Sequence, residues 1–178
     1  MDLKAILTIL HLLGVVIGVG SAYGSDLTFL QSVRSGIIDQ CAFVRLKRLS
    51  RFVWIGLAII AVSGIGLFLL DPHRYLASSK FLAKMTVVAM LVANGLVFHW
   101  VHLPRLAGKT WRNHRSALLL SGVVSFVSWT SAIILGFLRA VPLAYGEIMG
   151  IYIGVIVGGI CIGLLLQPFI FPKKNGGS

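Results

Sequence analysis

The chain has 178 residues, of which 57% are hydrophobic and only 12% charged, whereas a soluble domain carries about a quarter charged residues, so a fully hydrated surface is excluded. The net charge of +11 arises from 16 Lys and Arg against 5 Asp and Glu. These charges cluster in the connections between apolar runs, a placement that favours anionic headgroups and cytoplasmic retention over nucleic acid. The composition therefore predicts an all-α, polytopic membrane helix bundle of about five transmembrane helices, a single domain over residues 1–171 with a short cytoplasmic tail at 172–178.

Each span is an apolar run of bilayer length ended by charge, proline or glycine, because lipid offers no partner to an unpaired backbone amide and so enforces helix. The first run covers residues 5–23 and continues as interfacial helix to about Val33. It carries two Gly-xxx-Gly spacings suited to helix packing, and its leader Met1-Asp2-Leu3-Lys4 lacks the net positive charge of a cleaved signal peptide. A basic connection with Arg34, Arg45, Lys47, Arg48 and Arg51 leads to the second span, residues 52–70, ended by Asp71-Pro72. The third span, residues 81–101, has Ser78 and Ser79 as candidate caps; the fourth, residues 117–138, has Ser116. Pro142 separates the fourth from the fifth, residues 148–166.

Direction follows from the loops. Arg105, Lys109, Arg112 and Arg115 follow the third span and Lys173 and Lys174 the fifth, while the other two connections are nearly neutral: Arg74 and Lys80 against Asp71, and Arg139 against Glu147. Lys and Arg resist translocation, so an outside N-terminus and a cytoplasmic C-terminus satisfy every loop, and a cell inner (cytoplasmic) membrane is the expected location.

An ionisable group at membrane depth needs a partner, a snorkelling route or a task. His11 lies ~9 Å and Lys84 ~4.5 Å below the outer boundary at about 1.5 Å per residue, comparable levels. His11 reads either as an imidazole hydrogen-bonded to a neighbouring helix or as a haem or metal ligand. Lys84 either snorkels to the headgroups or works beside His11. Residues 84, 88, 91, 95, 99 and 102 share one helical stripe, so Lys84, His99 and His102 face one seam. His99 is open between a packing hydrogen bond and a cofactor role, and His102 is expected at the membrane interface. His11 and His99 stand ~18 Å apart along the normal, too far to share one haem iron in a protomer. Asp26 is expected to pair with Arg45, Arg48 or Arg51, and His73 and His114 to be solvated.

Gly150, Gly154 and Gly158 make the fifth span the best candidate for a close helix contact, inside the bundle or between protomers, followed by Gly159 and Gly163; Ser121, Ser125 and Ser128 give the fourth a small polar stripe. Cys41 and Cys161 form no disulfide framework. No Gly-rich phosphate loop, nucleophile elbow or zinc-spaced Cys and His set is present.

Over residues 5–105 the order of features resembles the membrane-embedded protoporphyrinogen oxidases of the HemJ type and the related CopD-like families. The elements that carry the resemblance are a first-span histidine in Leu10-His11-Leu12-Leu13-Gly14-Val15, a basic connection in Arg45-Leu46-Lys47-Arg48-Leu49, and a third span running from Lys84-Met85-Thr86-Val87-Val88 to His99. The resemblance implies a b-type haem held by His11, with Lys84 in a catalytic or ligand-environment role; a single haem on His11 would have Lys84, Met85 or nothing opposite. The leading expectation is accordingly a small haem b oxidoreductase or electron-transfer protein; its rival is a cofactor-free membrane protein, a small permease or a subunit of a complex.

Overall fold

A computed structural model describes residues 2–34, 38–107, 114–138 and 141–170. Lys109, Arg112, Arg139, Lys173 and Lys174, and the side chains of Arg34 and Arg115, lie outside the described residues. Among the described residues there are only helices: α1 (Leu3–Arg34), α2 (Gln40–Leu70), α3 (Pro72–Leu76), α4 (Ser79–Val97), a π-helical turn (Phe98–His102), α5 (Leu103–Ala107), α6 (Arg115–Phe137) and α7 (Tyr145–Ile170). Five of them, with α4 counted through α5, are long and apolar enough to cross a membrane, and most of their surface faces outward, as a lipid-solvated bundle requires. The chain is a multi-pass membrane helix bundle.

The breaks follow local chemistry. Asp39 caps α2 by accepting from Ala42 N at 2.7 Å, Asp71 closes it and accepts from Arg74 N to start α3, and Ser78 accepts from Phe81 N at the head of α4. Pro104 has no N–H to give the carbonyl one turn back, and the wide π turn stands immediately before it. The expected Ser116 cap is corrected: Ser116 lies inside α6, where it accepts from Gln167 Nε2 at 3.3 Å, and His114 precedes the helix. The basic connection expected up to Arg51 is also largely helix, because Leu46 (0% exposed), Ser50 and Leu57 bury one side of α2 while Arg45, Lys47, Arg48 and Arg51 stay exposed on the other.

Packing divides the bundle into two groups. α1 and α2 run against each other along their length, and α4, α6 and α7 form a second group that meets the first through α1 and α6. Gly56 sets the first contact: a Cβ there would stand 2.6 Å from Gly18 N and 2.9 Å from Gly14 O, so backbone touches backbone. In the second group Gly159 and Gly163 of α7 face Val123 and Leu119 of α6. Gly150, Gly154 and Gly158 have no atom within 4 Å of a notional Cβ, so of the two expected settings, inside the bundle or between protomers, the first falls to Gly159 and Gly163.

Hydroxyls join helices in one recurring way, once between the groups and once within the second. Thr130 Oγ1 donates to Phe126 O and Ser128 Oγ to Val124 O, each within its own helix. That commits their protons, so Tyr23 of α1 donates to Thr130 at 2.7 Å and Tyr152 of α7 to Ser128 at 2.8 Å.

Candidate functional site

The seam between the two helix groups holds two polar chambers, one above the other. The upper one, toward the N-terminal end of α1, has a volume of about 30 Å³ and is lined by His11, Lys84, Val15, Ile60, Val88 and Ile133 among others. That is room for one or two waters.

His11 is set there by α2. Its ring lies over Gly64, where a Cβ would come 3.5 Å from Cε1, and its Nδ1 is 3.1 Å from Ser63 Oγ. Ser63 Oγ donates to Ile59 O at 2.6 Å, so toward the imidazole it can only accept. Neutral His11 therefore carries its proton on Nδ1 and leaves the Nε2 lone pair free. Lys84 enters from α4 past Gly136 of α6, whose notional Cβ would be 3.8 Å from Nζ. Its side chain thus lies inside the bundle beside His11 as well as near the membrane surface. Lys80, one turn earlier, donates to Leu138 O and ties α4 to the end of α6.

The lower chamber, toward the basic end, has about 70 Å³ and is lined by Ser25, Asp26, Ser50, Asn94, Ser121 and Ser125 together with Trp54, Phe98 and other apolar groups. Asn94 is locked to α6 by two reciprocal bonds of 3.0 Å, its amide donating to Ser121 O and its carbonyl accepting from Ser121 Oγ. Asp26 Oδ2 is fully enclosed and has no hydrogen-bond partner. The expected pairing of Asp26 with Arg45, Arg48 or Arg51 is corrected. The helical period that turns Ser50, Val53 and Trp54 inward carries all three arginines to the exposed side, where Arg45 reaches only Cys41 Sγ at 3.5 Å.

Trp129 (3% exposed) and Leu91 (4% exposed) belong to both chambers and form the partition between them. Gly18 makes space for the indole: a Cβ there would lie 2.6 Å from Trp129 Cη2.

The remaining candidates separate from the upper chamber. Met85 is 43% exposed and does not line it. His99 sits below, with Nδ1 3.5 Å from Ser50 Oγ, so His11 and His99 share no cavity. His102, on the π turn, is buried at 4% exposed with Nδ1 unpartnered. Of the predicted stripe, Lys84, Val88 and Leu91 line the upper chamber and Leu91 and Gly95 the lower, whereas His99 and His102, on the π turn, line neither.

For a haem, ligand and space do not coincide. His11 offers a free ring nitrogen, but its chamber is about 30 Å³, against roughly 300–1,000 Å³ for pockets that enclose ligands of that class. The roomier cavities, an apolar groove of about 540 Å³ along α1, α6 and α7 and one of about 240 Å³ along α6 and α7, contain no histidine, methionine or cysteine. Among the described residues no three His, Cys, Asp or Glu side chains converge as a metal site.

The element missed from the sequence is the lower chamber. An acid within the first helix and an Asn mid-membrane were its signal, but the arginines nearby in sequence gave Asp26 a ready partner. No protein-family model, curated protein or solved structure matches this chain.

Proposed function

We propose that this chain is a small permease-type protein of the cytoplasmic membrane that carries protons along the seam between its two helix groups. The observation that supports the reading is the stacking of the two chambers across Trp129 and Leu91, with His11 and Lys84 on one side and Asp26 on the other. Ionisable groups that face a bundle interior at membrane depth are costly, and proton relays are among the tasks that repay that cost.

In this reading His11 Nε2 takes a proton from the outer side and exchanges it with Lys84 through the chamber water. Rotation of Trp129 joins the two chambers, and the proton passes to the Asp26 carboxylate and on to the basic end. Charge is conserved at each step, since one proton leaves as one arrives.

The test is proton uptake into liposomes containing the full chain and a pH-sensitive dye, driven by a valinomycin-clamped potassium gradient. Lys84→Met and Asp26→Asn are each expected to slow uptake at least roughly tenfold, since one intramembrane charge is worth several kcal/mol. Trp129→Ala is expected to speed it by removing the partition. Wild-type liposomes no leakier than empty ones overturn the proposal.

A second reading, a haem b redox protein, rests on one observation: Ser63 holds His11 in the tautomer that leaves Nε2 free to ligate, the arrangement found behind many ligating histidines. It requires the upper chamber to widen roughly tenfold to reach ordinary ligand-pocket size. A reduced-minus-oxidised spectrum of the purified protein decides it, with a Soret band lost in His11→Ala supporting haem and a colourless folded protein excluding it. A protomer contact through the open row Gly150, Gly154 and Gly158 is proposed alongside, and disulfide cross-linking of Gly154→Cys tests it.

A further inference from the structure

Asp26 presents an unresolved charge. It lies in the first membrane-spanning helix with Oδ2 enclosed and unpartnered, and among the described residues no Lys or Arg side chain lines its chamber. A carboxyl withdrawn from water is held either neutral by a proton or ionised beside a counter-charge. The arginines of α2 cannot supply one, because they stay on its exposed side.

The walls of the chamber are suited to a hard cation. Besides the carboxylate they offer Asn94 Oδ1, which has a second lone pair beyond the one taken by Ser121, and the hydroxyls of Ser25, Ser50, Ser121 and Ser125. The hydroxyls of Ser25 and Ser125 have no hydrogen-bond partner among the described residues, so their lone pairs are uncommitted. Oxygen ligands of this kind select hard ions, and the absence of Cys and Met from the lining removes soft ones. With a single carboxylate the set falls short of the several charged oxygens that dehydrated divalent ions demand. The volume of about 70 Å³ accommodates an ion with one or two waters.

We infer that the lower chamber is a binding site for an alkali-metal cation, coordinated by Asp26 with Asn94 and the serine hydroxyls of α1, α2 and α6. The inference deepens the proton-carrier reading by naming a second cation at the inner chamber, and it rests on that reading only for its place in a transport cycle. The two cations compete: a proton on the carboxyl removes the charge that holds the metal ion, and the metal ion displaces the proton.

The experiment is thermal unfolding of the purified full chain in detergent at fixed pH, with NaCl replaced stepwise by choline chloride at constant ionic strength. Tryptophan emission is the readout, since Trp54 and Trp129 both line the chamber. Sodium is expected to raise the midpoint by several degrees and to saturate, as binding to the folded state alone requires. Lowering the pH should weaken the apparent affinity by up to about tenfold per pH unit, the limit for one competing proton. Asp26→Asn should abolish the sodium response; should that variant fail to fold, Ser25→Ala with Ser125→Ala must weaken the affinity instead.

Identical melting of the wild type in sodium and choline overturns the site, as does a sodium response that survives Asp26→Asn. A midpoint that answers to pH but not to sodium assigns the chamber to the proton alone and likewise overturns it. A sodium response without proton uptake in liposomes leaves the site standing and defeats the transport reading; the converse pattern defeats only the site.

Discussion

Ser63 Oγ donates to the backbone carbonyls of Ile59 and, less closely, Ile60 while meeting His11 Nδ1, and that arrangement determines what His11 can do. Its proton goes to Ile59 O, so the hydroxyl accepts from Nδ1 of the imidazole and leaves Nε2 unprotonated on a ring that lines the upper chamber. Ser63→Ala removes that constraint. It is expected to cost about 1 kcal/mol in unfolding free energy, the usual net worth of such a bond, and to slow proton uptake by loosening the ring. Unchanged stability and uptake in the variant would mean that the bond has no orienting role. Asn94 is a stronger case, because Asn94→Leu breaks two reciprocal bonds and leaves Ser121 facing an apolar group. A loss of about 1–2 kcal/mol follows from interhelical bonds worth roughly 0.6 kcal/mol each plus an unmatched polar group, measured by denaturant titration in detergent micelles.

At the level of helices, the glycines separate into those that touch and those that do not. Gly56 meets the backbone of Gly14 and Gly18, whereas Gly154 meets nothing within 4 Å. Gly56→Leu is therefore expected to force α1 from α2 and abolish a cooperative unfolding transition, while Gly154→Leu shifts the midpoint little in the isolated protomer. Equal effects of the two substitutions would overturn the division. The spacing of four in α7 was visible in the sequence, but spacing marks a possible face without identifying its neighbour. The neighbour comes from how α7 rolls against α6, and that roll brings Gly159 and Gly163 to the contact.

The whole molecule has a polar axis that depends on which end is basic. Cys41, exposed at the head of α2 beside Arg45, should react with a charged maleimide only from the cytoplasmic side of intact membranes, and His73→Cys only from the other. Cys161, exposed along α7 within a span, should stay unlabelled by a charged reagent from either side. Labelling of both Cys41 and position 73 from one side would refute the five-span topology. The spans and their order were legible in the residues alone, because lipid forces any long apolar run into helix. The comparable level of His11 and Lys84 was legible too, as a count of residues from the span ends. The partners of Asp26 were not. A helix period states which side chains share a face, but the face that lipid covers and the face that another helix covers look alike in an apolar sequence. Only the packing of α1 and α2 against α4 and α6 decided which face is covered, enclosed Asp26 Oδ2 and set Trp129 between two chambers. Those relations depend on contacts between residues tens of positions apart.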